Sequence, residues 1–288
     1  MSNRNIDSVM VGLKQEASPQ MKDQYNQLKS INASGYPLQI AIANAVKASS
    51  GSHGWRVLYE EHAWRHDDRD GFIDLVLEHE NLQVVLLVEC KRLSDTKWEF
   101  LHPEGHAHAR RIARARLVIR DEGAVRANYP VWADAPADPP TPVASFCVMP
   151  KERGGLTVDA IAAELVAATE ALEREECAYL NRRGGHSRRL YFAAVVTTAP
   201  LSVCTFDPNT ISLADGRIAE GAKFVPVDAL RYTKQLSTRP ISGVPVGSYG
   251  QESDVLVRAK ERTVFVIRAE GLDDFLHDFN VDDRDKNG

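Results

Sequence analysis

Three charged residues interrupt two apolar segments of this chain. Asp74 lies within FIDLVLE, and Glu89 and Lys91 lie within LLVECKR. Because an unpaired charge among apolar neighbours costs free energy, such groups need an opposite charge or a metal ion. Two carboxylates and the backbone carbonyl of Cys90 are hard oxygen donors of the kind that Mg²⁺ or Mn²⁺ prefers. The two segments therefore predict a metal site with a lysine beside it.

The presence of Lys91 beside the carboxylates favours a reaction at a phosphate group. Glu89 and Lys91 are two residues apart, so on a β-strand their side chains project from the same face. An ammonium group there can orient or deprotonate a water molecule, or stabilise charge on a phosphate. Glu61 alternates with Tyr59 on the preceding strand and is predicted to supply a third carboxylate. Glu60 points the other way, although a register shift of one residue would exchange the two.

A helix and three strands are predicted to position these residues. The segment after Pro37 predicts a buried helix over 38–49, which ends at Ser50-Gly51. Strands are predicted over 54–64, 71–79 and 83–93, where β-branched and aromatic residues are frequent. The short connections between these strands favour antiparallel hairpins.

The remaining elements are predicted more unevenly. Arginine and alanine residues favour a helix over 106–120, and prolines favour a loop over 128–142. The clearest helix spans 157–183, with Thr157 as its N-cap and Gly184 as its stop. Strands are predicted over 143–150, 189–199, 201–206 and 262–270, a hairpin-like turn at Asp215-Gly216, and a short helix over 271–279.

The spacing of the charged residues resembles a known signature. Ile73-Asp74, followed by Glu89-Cys90-Lys91, resembles the D…(D/E)xK motif of the PD-(D/E)XK nuclease superfamily. The resemblance covers about residues 36–199. It implies an α/β fold of the restriction-endonuclease-like type, in which an αβββαβ core has a mixed central sheet flanked by helices, here with additional C-terminal strands. Ile73 replaces the proline of the family name, and the segment between Lys91 and the long helix is unusually long.

The resemblance also implies roles for the residues. Asp74 and Glu89 would be metal ligands, Lys91 the catalytic lysine, and Glu61 the upstream acidic residue that many members add. The sequence predicts a polar, partly helical N-terminal arm over 1–35 and a disordered tail over 282–288, on either side of the nuclease-like domain over 36–281.

The implied activity is hydrolysis of phosphodiester bonds by an Mg²⁺- or Mn²⁺-dependent endonuclease. DNA is the preferred substrate over RNA, and the implied biological role is the effector of a bacterial restriction or antiphage-defence system. The alternative is a catalytically silent subunit of the same fold that binds nucleic acid or scaffolds a complex. No separate module for DNA recognition is evident. We therefore expect specificity or activation to come from a protein partner, from a homo-oligomer or from the N-terminal arm.

The charge of the chain limits how it would bind nucleic acid. The formal net charge is −5, so binding to a polyanion requires a local basic surface. Arg92, Arg110, Arg111 and Arg114 are the candidate phosphate contacts. A solvated surface helix, or one that pairs with acidic residues elsewhere, explains the last three equally well. A further cluster, His102, His106 and His108, has spacing that suits zinc, but a polar loop with incidental histidines is the favoured interpretation.

Other classes of protein are disfavoured. The four cysteines lie far apart without a CxxC pair, which is typical of reduced thiols in a cytosolic protein. The N-terminus lacks the apolar core of a signal peptide, and no apolar run is long enough to span a bilayer, so we expect a cytoplasmic protein without membrane contact. No Walker, GxGxxG or GxSxG motif occurs, which disfavours ATPase, dinucleotide-dependent and serine-hydrolase chemistry.

Overall fold

The computed structural model describes most of the chain. The described residues are 19–79, 81–93, 96–105, 109–119, 129–149, 157–183, 188–218, 221–236 and 259–281. Backbone contacts divide the chain into one compact unit that ends at Pro37 and a second unit from Leu38 to Gly288. The predicted disordered tail, 282–288, lies outside the described residues.

The α-helices that lie wholly within the described residues are α1 (Pro19–Ala33), α2 (Tyr36–His53), α3 (Val158–Arg183) and α4 (Leu272–Asp278). Those over 38–49, 157–183 and 271–279 were expected from the sequence, and α2 extends further than expected at both ends. Within these residues, no helix is both long and apolar enough to cross a membrane.

A large mixed sheet forms the centre of the second unit. Its strands are β1 (Trp55–His66), β2 (Arg69–His79), β3 (Val84–Lys91), β5 (Arg110–Ile119), β6 (Tyr129–Thr141), β7 (Val143–Ala144), β9 (Arg188–Thr197), β12 (Ala229–Gln235) and β13 (Glu261–Arg268). The order is β1-β2-β3-β9-β13-β12-β7, and β5 pairs with β9 and β6. A smaller sheet is formed by β4 (Trp98–Pro103), β8 (Phe146–Val148), β10 (Leu201–Phe206) and β11 (Lys223–Val227). Its strand order is β11-β10-β4-β8.

The centre of the large sheet contains both antiparallel and parallel strand pairs. β1, β2 and β3 are antiparallel, as the short connections predict. β3 and β9 are parallel over the pairs from Val84↔Leu190 to Lys91↔Thr197, and α3 lies between them in the chain. The protein is therefore an α/β protein whose mixed sheet is flanked by helices.

Strand β3 is buried on both faces, which explains its nearly continuous apolar sequence. Val85 and Leu87 belong to the core cluster that contains the apolar face of α3. Leu86 and Val88, together with Val84, belong to a second cluster with residues of α2 and α4. Because successive side chains of a strand point to opposite faces, Glu89 continues the face covered by α3 and Cys90 the face covered by α2.

The predicted arginine-rich helix is wrong, because residues 110–119 form strand β5. Ala113 and Ala115 alternate with Arg114 and Arg116, a period of two that suits a half-buried strand. Both alanines are buried in the core, and both arginines make ion pairs on the other face. The helix prediction gave too much weight to the helix propensity of alanine and arginine.

The predicted loop over 128–142 is also wrong, since residues 129–141 form strand β6. Among the described strands it pairs with β5 alone, and its other edge makes an isolated bridge from Asp138 to Asn280. Proline is tolerated at such an edge because most of its outer backbone groups need no strand partner.

Two smaller predictions need correction as well. The strand predicted over 143–150 is divided between β7 of the large sheet and β8 of the small one, and Phe146 is exposed. Gly216 has a φ of 69° and lies at a turn, but residues 211–218 contain no strand, so the turn does not join a hairpin.

Candidate functional site

The registers of the three antiparallel strands bring the predicted carboxylates into one row. The pairs Glu60↔Leu75 and His62↔Ile73 place Glu61 opposite Asp74. The β2–β3 ladder ends at the pair Leu75↔Val88. The residue next to this pair is Asp74 on β2 and Glu89 on β3.

Beyond the last pair of the β2–β3 ladder, side-chain hydrogen bonds hold Asp74 and its neighbour Cys90 in place. The Cys90 N–H donates to Asp74 Oδ2 at 2.6 Å. Gln39 of α2 donates from Nε2 to the Asp74 carbonyl oxygen at 3.0 Å. The carboxylate and its backbone are thus held from both sides. Since the N–H and C=O of a strand residue point to the same neighbour, the Cys90 carbonyl also faces the opening beside Asp74.

Glu89 and Lys91 form an ion pair at the end of β3. Lys91 Nζ donates to Glu89 Oε1, as two side chains on one face of a strand can. The side chains are 21% and 27% exposed, so the pair is shielded from solvent without being sealed from it. A substrate could therefore approach both groups.

Burial and mutual electrostatic interactions shift the pKa values of Asp74, Glu89 and Lys91. Burial, and then the charge of Asp74, raise the pKa of Glu89 to about 6. Burial raises the pKa of Asp74 more than the hydrogen bond from Cys90 and the charge of Lys91 lower it. Burial alone would lower the pKa of Lys91, but Glu89 and Asp74 outweigh it and raise that pKa. Lys91 is consequently a cation at neutral pH, next to two carboxylates that repel each other.

Glu60 and Glu61 differ in their surroundings. Glu60 lies 2.5 Å from Lys47 Nζ of α2, so it occupies the face opposite to that of Glu89. Glu61 is exposed and has a φ of 51°, a left-handed conformation that is uncommon for glutamate. Glu61 lies opposite Asp74, and no hydrogen bond among the described residues joins it to the other site residues, so its role stays a prediction.

Comparison with models of known protein families, with curated proteins and with solved structures found no match.

The oxygen donors at this site suit a hard divalent cation. No group of three or more His, Cys, Asp or Glu side chains in the described part of the chain is close enough together to hold a metal ion. However, Mg²⁺ commonly takes one or two protein carboxylates and completes its coordination with water and substrate phosphate. Asp74, Glu89 and the Cys90 carbonyl provide such a partial set, and the mutual repulsion of the carboxylates would be relieved by a cation.

Of the four arginines that were predicted to contact phosphate, two are exposed and two are held in ion pairs. Arg92 and Arg110 are exposed. Arg111 makes two bonds of 2.6 and 2.8 Å to the Asp138 carboxylate, and Arg114 Nη1 donates to Asp134 at 3.1 Å. Their contact with nucleic acid remains a prediction, and Arg111 and Arg114 would have to exchange these carboxylates for phosphates.

The predicted histidine cluster is only partly described. His102 is buried, with Nδ1 2.8 Å from the carbonyl oxygen of Val143, which gives it a structural role at the start of β7. His106 and His108 lie outside the described residues.

The sequence analysis did not identify three residues that lie near the site. Gln39 lies in α2 and was assigned only to a buried helix. Trp64 of β1 and Glu164 of α3 line a small cleft together with Glu89. Their proximity depends on how α3 packs against the sheet, and no local pattern in the sequence indicates that packing.

The raised pKa of Glu89 predicts a pH dependence of stability in the metal-free protein. Between pH 4.5 and 6 the folded state binds more protons at Glu89 than the unfolded state, so the free energy of unfolding falls as the pH rises through this range. The expected loss is on the order of 2 kcal/mol. Urea unfolding of wild type and Glu89→Gln from pH 4.5 to 7.5 should give a smaller decrease in the variant. Parallel curves would contradict the assignment.

Proposed function

We propose that the protein is a divalent-metal-dependent nuclease that hydrolyses phosphodiester bonds, with DNA as the preferred substrate. The observation that carries the proposal is the opening of the β2–β3 ladder at Asp74. There a carboxylate fixed by the Cys90 N–H lies beside the Glu89–Lys91 ion pair. A reactive site benefits from groups that are held in fixed positions before substrate binds.

The order of the elements supports a restriction-endonuclease-like core. Helix α2 precedes the antiparallel strands β1, β2 and β3, and α3 then leads to β9, which is parallel to β3. This is the αβββαβ order that the sequence motif implies. The strands β12 and β13 extend the sheet beyond β9, as expected for C-terminal additions, and β4 to β8 form an insertion between β3 and α3.

In this mechanism Lys91 acts on the phosphate and on the attacking water. Its ammonium group is charged at neutral pH and donates to Glu89, which fixes its direction. A cation in that position can stabilise the negative charge that develops on the phosphate oxygens. Glu89, with a pKa of about 6, is mostly ionised at pH 7 and can accept a hydrogen bond from a water molecule.

Asp74 contributes a carboxylate held in place before substrate binds. Asp74, Glu89 and the Cys90 carbonyl would hold Mg²⁺ or Mn²⁺, with Glu61 as the additional acidic residue proposed from the motif. When bound, the cation would supply positive charge that neutralises the phosphate.

A cleavage assay with an Asp74→Asn variant tests the proposal. Wild type with Mg²⁺ or Mn²⁺ is expected to cleave double-stranded DNA, single-stranded DNA or RNA, and chelation by EDTA should stop the reaction. Asp74→Asn should lower the rate by at least ~10²-fold, since it removes charge at the reacting centre. The matched control is Asp215→Asn at an exposed turn, which should cleave like wild type.

Two outcomes would contradict the nuclease proposal. The first is equal cleavage by wild type and Asp74→Asn, which would place the activity elsewhere. The second is no metal-dependent cleavage of any of these substrates, which would favour the catalytically silent subunit that binds nucleic acid or scaffolds a complex.

A further inference from the structure

A buried glutamine interrupts the apolar face of α2. Gln39, Ile42, Ala43 and Val46 are buried, and their spacing places them on one side of the helix. Gln39 is only 8% exposed, although its side chain ends in an amide. A buried amide costs free energy unless it is hydrogen-bonded, so an apolar residue would be the simpler choice at this position. The presence of glutamine therefore indicates a specific partner.

The partner of Gln39 is the backbone of Asp74. Gln39 Nε2 donates to the Asp74 carbonyl oxygen at 3.0 Å, across 35 residues of the chain. The carboxylate of the same aspartate accepts from the Cys90 N–H at 2.6 Å. One bond thus holds the peptide group of Asp74 from α2, and the other holds its side chain from β3. Because a side chain turns with its backbone, the first bond also affects the direction of the carboxylate.

We propose that Gln39 is a positioning residue for the reaction: by fixing the backbone of Asp74, it keeps the Asp74 carboxylate directed at the Cys90 N–H. This inference rests on the proposed nuclease function. Gln39 does not itself contact the substrate in this role. It keeps a reacting group in place, and a displacement of about 1 Å in such a group can lower a rate ~10²-fold.

Another side chain of α2 that reaches the sheet provides a comparison. Lys47 lies 2.5 Å from Glu60 of β1, and both side chains are half-exposed. Water can replace an ion pair of this kind at little cost in stability, whereas the bond from Gln39 is shielded and ends on a residue of the candidate site. Since both bonds join α2 to the sheet, Lys47→Met is the matched control for Gln39→Met, which nearly keeps the side-chain length and removes its donors.

Amide hydrogen exchange, followed by NMR, tests the inference without relying on cleavage. In Gln39→Met the Cys90 N–H should exchange at least ~10-fold faster than in wild type, because its acceptor, the Asp74 carboxylate, is no longer held in place. The amides of Leu86 and Leu87, earlier on β3, should exchange within about twofold of wild type. If Gln39 served only to pack α2, the three amides would change together. Lys47→Met should leave all three unchanged.

Steady-state cleavage kinetics separate this inference from the proposed function. Gln39→Met should lower kcat about tenfold and leave KM within about twofold, since the substrate contacts are kept while Asp74 is displaced. Gln39→Leu, a second apolar replacement, should behave alike. If Cys90 exchange or kcat in these variants equals that of Lys47→Met, the role of Gln39 is refuted, even where Asp74→Asn is inactive. If wild type cleaves nothing, the nuclease function fails and the role of Gln39 in the reaction fails with it, whatever the exchange rates show.

Discussion

Replacing Lys91 with methionine is expected to lower the rate of metal-dependent cleavage by ~10²- to 10³-fold, the usual effect of removing one group that stabilises transition-state charge. Methionine keeps an unbranched apolar side chain and removes the ammonium that donates to Glu89. The loss should appear in kcat more than in KM, because the interaction strengthens as charge develops on the phosphate. Steady-state cleavage kinetics at saturating Mg²⁺ measure both.

A lysine in a different ion pair is the matched control. Lys47 lies 2.5 Å from Glu60, and its side chain is 52% exposed on the opposite face of the sheet. Lys47→Met should leave kcat within twofold of wild type. A decrease in Lys91→Met that is no greater than in Lys47→Met would show that Lys91 only pairs with Glu89. Circular dichroism of both variants checks that the fold is retained.

Strong local patterns explain which elements could be predicted from sequence. Helix α2 and the strands β1, β2 and β3 follow one another with short connections, so each is determined by neighbours in the chain. Strand β5 was mistaken for a helix because the helix propensity of its arginines and alanines was given too much weight, and one of its two partners, β9, lies far along the sequence. Its alternation of arginine with alanine was the signal of a strand, but propensity pointed the other way.

The proximity of Asp74 to Glu89 and Lys91 was predictable for the same reason. Asp74, Glu89 and Lys91 lie on two strands of one hairpin, where the apolar pattern fixes which positions should be buried. Gln39 and Glu164 come from helices whose contacts with the sheet are tertiary. The left-handed backbone at Glu61 likewise has no signal in the sequence, because glutamate is uncommon in that conformation.

A second group of charges was not foreseen at all, and it has the largest expected effect on stability. Arg189 of β9 has its guanidinium 2.7 Å from Glu78 of β2 and 3.1 Å from Glu176 of α3, and these three side chains are 8–9% exposed. Tyr191 donates to Glu176 at 2.7 Å, and Arg56 lies 2.5 Å from Glu78. The group joins α3 to the sheet through buried charges.

The two carboxylates of this group depend on Arg189 to different degrees. Burial is the largest influence on both, but the two arginines beside Glu78 outweigh it and lower the pKa of Glu78. For Glu176 the effect of burial prevails, and its pKa is raised despite Arg189 and Tyr191. Removing Arg189 would leave Glu176 with a tyrosine hydroxyl as its principal remaining partner, and Glu78 with the half-exposed Arg56.

Arg189→Met is therefore expected to lower the free energy of unfolding by about 3–5 kcal/mol, the usual cost of removing one partner of a buried ion pair. Arg56→Met removes a partner whose side chain is 56% exposed and should cost less than about 1 kcal/mol. Urea unfolding at pH 7 measures both. Adding Glu176→Gln to Arg189→Met should recover part of the loss, because the variant then buries one fewer unpaired charge. Equal losses of unfolding free energy in Arg189→Met and Arg56→Met would mean that solvent reaches these carboxylates. Helix α3 would then be held to the sheet by packing and not by charge.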